Sequence, residues 1–285
     1  MSSYIELTKP RITVFILMST AIGFLCGTYA GGAWSFLTLI HTLVGTALIA
    51  SGTAALNQWY ERDADAKMNR TKARPIPSGR VTPRRAFWFA AALSILGFVE
   101  LWFGANRLTA LLGLFTLASY LFVYTPLKQK SPHSTTIGAV PGAMPPLIGY
   151  AAAAGALSGQ AWILYAILFL WQFPHFYAIA WMYREDYERA GIRMLPVIEP
   201  SGESTARRMW MFSLVLIPIS LLPKFTDMAG NLYLFGALAL GLYFLYAAVR
   251  ASFDRTRPRA RQVLLASVVY LPLLYGLLVL DRPGL

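Results

Sequence analysis

Nine apolar runs, each close to the ~20 residues a helix needs to cross a bilayer, divide this 285-residue chain almost from end to end. They lie at about 12–30, 36–57, 86–104, 107–124, 136–155, 161–182, 208–223, 231–249 and 263–280. A segment of this length in lipid must satisfy its own backbone N–H and C=O groups, which makes it a helix. The expected fold is an all-α polytopic membrane protein, nine transmembrane helices around a central cavity, with residues 1–285 forming one membrane domain. Composition agrees: 56% of residues are hydrophobic, 13% are charged and the mean hydropathy is +0.51. The first run, after a short polar start, lacks a cleavage site or Arg-rich transit extension and is expected to remain a span.

The net charge of +12 would suit a nucleic-acid binder, but its distribution argues otherwise. If alternate connections lie on alternate sides, the N-terminus and the loops after spans two, four, six and eight hold 22 of the 25 Lys and Arg. The other face has only Arg107, Lys224 and Arg282. That partition puts the N-terminus and the even-numbered exits in the cytoplasm and the C-terminus outside, with no nucleic-acid partner needed. The only cysteine, Cys26, lies inside a span, so no intrachain disulfide forms and redox chemistry is not expected.

The polar residues are concentrated where span two ends. Asn57, Glu61 and Asp65 recur every four residues, and four helical residues turn the chain by about 400°, so the three descend one face. Two carboxylates and an amide carbonyl at a membrane surface make a hard oxygen site suited to Mg²⁺ and a phosphorylated ligand. Asp63 lies about 200° from Glu61 and belongs on another face. The residues from Lys67 to Arg80 add cations fit to hold a polyphosphate. A second polar loop, from Tyr183 through Arg207, follows span six on the same predicted face. The four-span separation of the two loops faintly echoes a duplication, and places two carboxylate clusters opposite one another across a cytoplasmic cavity.

The stretch Asn57–Pro75 resembles the first aspartate-rich motif of the UbiA-type intramembrane prenyltransferases. Leu7–Arg11, Tyr124–Lys128, His133–Pro146, Trp171–Phe176 and Arg184–Pro196 resemble the protohaem IX farnesyltransferase (haem O synthase) branch of that superfamily. The resemblance spans about residues 4–280. It implies transfer of a farnesyl group from farnesyl diphosphate to a vinyl group of haem b, releasing diphosphate and giving hydroxyethylfarnesyl haem, with Mg²⁺ as cofactor. A bacterial cytoplasmic (inner) membrane location is expected, with haem A synthase or a terminal oxidase as downstream partner. The chain departs from the superfamily pattern in having Glu61 where Asp is usual, and Glu185–Asp186 without a clear Asp-x-x-x-Asp. Asp186 matches the haem-type segment; Glu185 is auxiliary, since neighbouring helical residues point about 100° apart.

Departure of an allylic diphosphate builds negative charge on phosphate oxygens and positive charge on carbon. Mg²⁺ on Asn57, Glu61, Asp65 and Asp186, together with Lys9, Arg70, Arg74, Lys128 and Arg193, is expected to stabilise the former. Trp59, Tyr60, Phe173, Phe176 and Tyr177 are candidates to shield the cation. His175, beside Pro174 in span six, is the intramembrane candidate for haem contact; His133, near Lys128, is a second. His41 and Glu100 belong near the outer end, while Pro141, Pro145 and Pro146 interrupt span five and shape a cavity. Two other readings fit less well. A UbiA-type enzyme with a quinone precursor or other aromatic acceptor would share the phosphate site. A haem or prenyl-lipid transporter would place its coupling charges near the midplane rather than at one face.

Overall fold

The computed structural model describes residues 3–32 and 34–282. Among these, nine helices are long and apolar enough to span a membrane. They are α1 (Pro10–Tyr29), α2 (Phe36–Tyr60), α3 (Pro83–Gly104), α4 (Arg107–Leu127), α5 (Ser134–Ala154), α6 (Gly159–Met182), α7 (Glu203–Phe225), α8 (Asn231–Phe253) and α9 (Arg257–Leu280). Each coincides with one apolar run. The main differences are at cation-rich ends, where α3, α7 and α9 start three to six residues earlier than the apolar run and α8 ends four later. Helical hydrogen bonding continues into the interfacial layer after hydropathy has fallen, so the runs mark the lipid core and underestimate the helices. Thr82 illustrates the start signal: its side chain accepts from the Arg85 N–H, and Pro83 occupies the first turn, where its missing N–H costs nothing.

Helix α1 packs on α5 and α2, α2 on α3, α3 on α4, and α4 on α5; α6 through α9 form a second group joined to the first through α5 and α6. Helices α1 and α5 cross with their backbones in close approach. A Cβ at Gly27 would lie 2.6 Å from the Tyr150 carbonyl oxygen, and one at Gly149 would collide with the Thr20 carbonyl. Small residues here let two backbones touch, the packing that substitutes for a hydrophobic drive between helices in lipid. In the second group, buried Tyr233, Phe244, Tyr270, Tyr275 and Leu274 fill the core. Their hydroxyls are largely paired: Ser220 and Tyr270 share a hydrogen bond of 2.7 Å, and Tyr233 donates to the Ser220 carbonyl at 2.8 Å. Large apolar side chains such as Phe103, Phe122 and Phe253 face outward, as expected where lipid is the solvent.

Two irregularities shape the interior. Helix α5 breaks between Gly142 and Pro145, into Ser134–Gly142 and Pro145–Ala154. Helix α4 carries a π-helical stretch at Ser119–Tyr124, just before its charged end. Wide turns of this kind redirect side chains and recur at functional sites. The cavity they border is lined by α1 to α6; α7, α8 and α9 buttress α6 from behind.

Gly149→Ala is expected to lower stability by about 1–3 kcal/mol, because the obstructing atom is backbone and cannot rotate away. Gly159→Ala, where no atom lies within 4 Å of the added carbon, should leave it nearly unchanged. Thermal unfolding of the two variants in one detergent distinguishes them; equal midpoints would refute the close-crossing account.

Candidate active site

The cavity at the cation-rich end starts from the Asn57–Glu61–Asp65 ladder. Helix α2 ends at Tyr60, and a short helix, Arg62–Asp65, follows directly. The Glu61 N–H donates to the Asn57 carbonyl (2.9 Å) and the Asp65 N–H to the Glu61 carbonyl (2.8 Å), so helical hydrogen bonding carries through the junction. All three side chains are buried, whereas Asp63 is 85% exposed at its side chain. Each rung meets a cation from a different part of the chain. Lys9 Nζ donates to Asn57 Oδ1 at 3.3 Å, Lys128 Nζ to both Glu61 oxygens at 3.1 and 3.3 Å, and Arg74 Nη1 to Asp65 Oδ2 at 2.7 Å.

These pairs set the electrostatics. Burial alone would raise the Glu61 pKa, but Lys128 and Lys9 hold it below the ordinary carboxylate value. For Lys128, desolvation is outweighed by Glu61 and by Tyr124 and Tyr187, and its pKa rises. Lys9 is half-buried, and desolvation of its ammonium and the nearby Arg74 bring its pKa down to about 7. Lys9 also has a left-handed backbone (φ 49°), rare for a residue with a Cβ. Gln58, which donates to the Leu7 carbonyl at 2.9 Å, fixes the turn.

Around the ladder lies a chamber of about 240 Å³, lined among others by Lys9, Arg70, Arg74, Lys128, Tyr120, Tyr124, Gln172 and Tyr187. Arg70 stacks over Tyr183 and Tyr187, 5.0 and 5.8 Å from their centroids. A second chamber of about 140 Å³ lies toward the interior and is walled by Ile16, Ile49, Ala50, Leu101 and Ile148. Lys9, Ile12, Tyr120 and Gly142 border both. Cations and oxygens thus gather at one end of an apolar pocket, which suits a ligand with a polyanionic head and a hydrocarbon tail.

Several residues expected at the site lie outside the chamber. Asp186 does not line the chamber: its carboxylate accepts from the backbone N–H groups of Asn69 (3.1 Å) and Arg70 (3.3 Å) and pairs with Arg189. Desolvation opposes ionisation there, but the two amides and Arg189 prevail and lower its pKa. Asp186 thereby anchors the loop that carries Arg70. Arg193 is exposed and outside the chamber. His175 points to α9 instead, with Nδ1 2.7 Å from Ser267 Oγ and its ring stacked on Trp171. His133 is exposed in the loop before α5 and lines neither chamber. Of the aromatic candidates only Phe176 reaches the chamber; Trp59 packs on Phe87, Phe173 stacks on Phe212, Tyr177 accepts from Arg208, and Tyr60 is exposed.

Tyr120, Tyr124 and Gln172 line the site without having been singled out from sequence. Tyr124 stands four residues before Lys128, the ladder's own spacing, and an amide inside an apolar run at Gln172 was a comparable signal. Gln172 donates to the Ala139 carbonyl at 3.2 Å, tying α6 to the broken α5. Gly142 leaves room for its side-chain oxygen, which a Cβ would strike. His41 and Glu100 pair at 2.7 Å, far along α2 and α3 from the ladder.

The donors fit a hard cation of Mg²⁺ type. No group of three or more His, Cys, Asp or Glu converges among the described residues. Mg²⁺, however, is commonly held by one or two carboxylates completed by phosphate oxygens and water. Glu61, Asp65 and the Asn57 carbonyl supply such a set, and buried Asp65 Oδ1 has no hydrogen-bond partner among the described residues.

Comparison with known proteins gives the family. The description of the UbiA prenyltransferase family matches residues 16–271. A "Protoheme IX farnesyltransferase" of Solibacter usitatus (strain Ellin6076) is 62% identical, over 100% of both chains. One from Koribacter versatilis (strain Ellin345) is 45% identical, over 98% of this chain and 93% of that one. Among solved structures, one described as digeranylgeranylglyceryl phosphate synthase superposes with a TM-score of 0.81 at 18% identity, covering 99% of this chain and 98% of the other. A UbiA homolog from Archaeoglobus fulgidus bound to GPP and Mg²⁺ gives 0.69 at 16% identity, over 98% and 100%. The chain belongs to the UbiA prenyltransferase family.

Proposed function

We propose that this protein transfers the farnesyl group of farnesyl diphosphate to a vinyl group of haem b, forming haem O. The observation that carries the transfer chemistry is the junction of an apolar chamber with one that gathers four cations and the three oxygen-bearing side chains of the ladder. The choice of haem b is supported by the relatives, 62% and 45% identical, that bear the name protoheme IX farnesyltransferase. We read the whole chain as one membrane domain in a bacterial cytoplasmic membrane.

In this reading the diphosphate sits among Lys9, Arg70, Arg74 and Lys128, and the isoprenoid tail runs between Ile12, Ile16, Ile49 and Ile148. Asn57, Glu61 and Asp65 would hold Mg²⁺, which would supply charge neutralisation for the departing diphosphate. The bond between farnesyl C1 and oxygen breaks, its electron pair leaving with diphosphate. The vinyl π pair then closes the new C–C bond, and water adds to the remaining carbocation and loses a proton. The cations favour the first event because they are already oriented before charge develops. Tyr120, on the border of both chambers, and neighbouring Tyr124, 4.8 Å away between centroids, place aromatic rings beside the reacting carbon. Asp186 acts as a positioning residue: its grip on the Asn69 and Arg70 amides sets where the Arg70 guanidinium lies. The product remains lipid-soluble, available to a haem A synthase or terminal oxidase in the same membrane.

Incubating the purified protein with haem b, farnesyl diphosphate and Mg²⁺ should yield haem O by mass analysis. Prenylation of an aromatic quinone precursor with haem b untouched would overturn the acceptor. Asp65→Ala should lower the rate on the order of 10²-fold or more, while Asp63→Ala, on the exposed face, should leave it nearly unchanged. Equal losses at matched membrane abundance would refute the ladder.

Orientation follows from the partition of basic residues. We place the site in the cytoplasm, with the N-terminus, and the C-terminus outside. In a Cys26-free background, cysteines at 80 and 207 should be protected from an impermeant reagent in intact cells, and one at 224 labelled. Labelling at 80 and 207 would reverse the topology.

A further inference from the structure

A second basic site lies outside the reaction chamber, on the membrane-facing side of the same end. The short helix Ser3–Leu7 approaches the first turns of α3, leaving an open cleft of about 670 Å³ lined by Tyr4, Thr82, Arg84, Arg85, Trp88 and Phe89. Tyr4 and Phe89 meet edge to face at 5.0 Å and close one side. Arg84 and Arg85 are exposed, and neither guanidinium has a carboxylate partner among the described residues. The carboxylate carried by the short helix, Glu6, is already taken by Arg80 at 2.7 Å. Two cations thus border one cleft without local compensation, one turn above a Trp that is 64% exposed.

The order of these groups along α3 gives the ligand's chemistry. Arg84 and Arg85 precede the apolar run that starts at residue 86, which puts their charges at headgroup depth. Trp88 and Phe89 follow where phosphates give way to acyl chains, the level at which amphipathic aromatic rings settle. A ligand that meets cations first and then exposed aromatic surface, from the lipid side, carries a phosphate and hydrocarbon chains. We infer that the cleft between Ser3–Leu7 and α3 binds one anionic phospholipid, its phosphodiester between Arg84 and Arg85 and its chains along Trp88 and Phe89. The site is separate from the chamber: none of its six lining residues lines either internal cavity. It is nonetheless connected to it, because the helix that forms one wall leads within two residues to Lys9, which reaches Asn57. A lipid bridging that helix and α3 would steady the segment on which Lys9 stands.

Native mass spectrometry of the full chain, after exchange into mixtures of phosphatidylglycerol and phosphatidylcholine, tests this. The wild type should retain one phosphatidylglycerol in preference to phosphatidylcholine. Arg84→Gln with Arg85→Gln should weaken that retention on the order of tenfold or more, at about 1 kcal/mol per cation, and the doubly Lys-substituted chain should keep most of it. Both positions are exposed, so an unchanged thermal midpoint is expected and is measured alongside. Retention indifferent to headgroup charge, or unaltered in the Gln variant, would overturn the site. Displacement of the lipid by millimolar glycerol phosphate would overturn the lipid assignment, since a soluble phosphate lacks the chains that Trp88 and Phe89 are inferred to hold.

Discussion

The interaction on which the rest of this structure depends is the pairing of buried Glu61 and Asp65 with Lys128 and Arg74. A carboxylate taken out of water loses solvation worth several kcal/mol, which only a well-placed cation and further hydrogen bonds recover. Removing one partner of such a pair typically costs about 3–5 kcal/mol, because the other is left charged and dry. The partners come from separate places: Arg74 from the loop after α2, Lys128 from the end of α4. Satisfying the ladder therefore fixes where the loop turns back and where α4 ends. The wide π turn at Ser119–Tyr124 and the hydrogen bond from Asn57 Nδ2 to Thr125 Oγ1 (3.4 Å) belong to the same solution.

That arrangement also explains how one end of a bundle can be polar inside while its outside meets lipid. The polar interior is confined to the ends of α1, α2, α4 and α6, and α5 opens beside it by breaking at Gly142–Pro145 instead of running straight. The broken backbone is tolerated because it borders protein and cavity and does not face lipid. The second group of helices supplies a packed back wall. Its tyrosine hydroxyls are mostly consumed by serines and carbonyls, so they add packing to the bundle without adding polarity to the chamber.

Much of this was legible from the residues. The apolar runs locate the nine membrane-length helices among the described residues, because a bilayer demands about 20 consecutive apolar residues and no loop in this chain is apolar over that length. The four-residue spacing alone puts Asp65 and Asp63 on different faces, and the structure buries the first and exposes the second. What remained hidden depended on long-range partners or on small rotations. The role of Asp186 is set by backbone amides 117 and 116 positions away, and no side-chain pattern announces a backbone donor. His175 and Gln172 differ by only 60° around α6, yet Gln172 faces the chamber and His175 faces α9. A histidine within an apolar span invites a functional reading; here Ser267 and Trp171 occupy it. The π turn that brings Tyr120 and Tyr124 to the chamber has no composition signal of its own.

Lys9 brings these threads together. It ends the segment that Gln58 and the Arg80–Glu6 pair hold in place, starts α1 from a left-handed conformation, borders both chambers and donates to the first rung of the ladder. A residue with a Cβ keeps such a backbone only where its surroundings over-determine it, and such positions cluster at functional sites. Its ammonium is crowded by Arg74 and Lys128, and has Asn57, a neutral amide, as its hydrogen-bond partner. Glu61 and Asp65, the nearest negative charges, are committed to other cations. The chamber consequently holds more positive charge than its own carboxylates compensate. A polyanion supplies the missing charge, so the same four cations that crowd one another in the chamber favour a diphosphate between them.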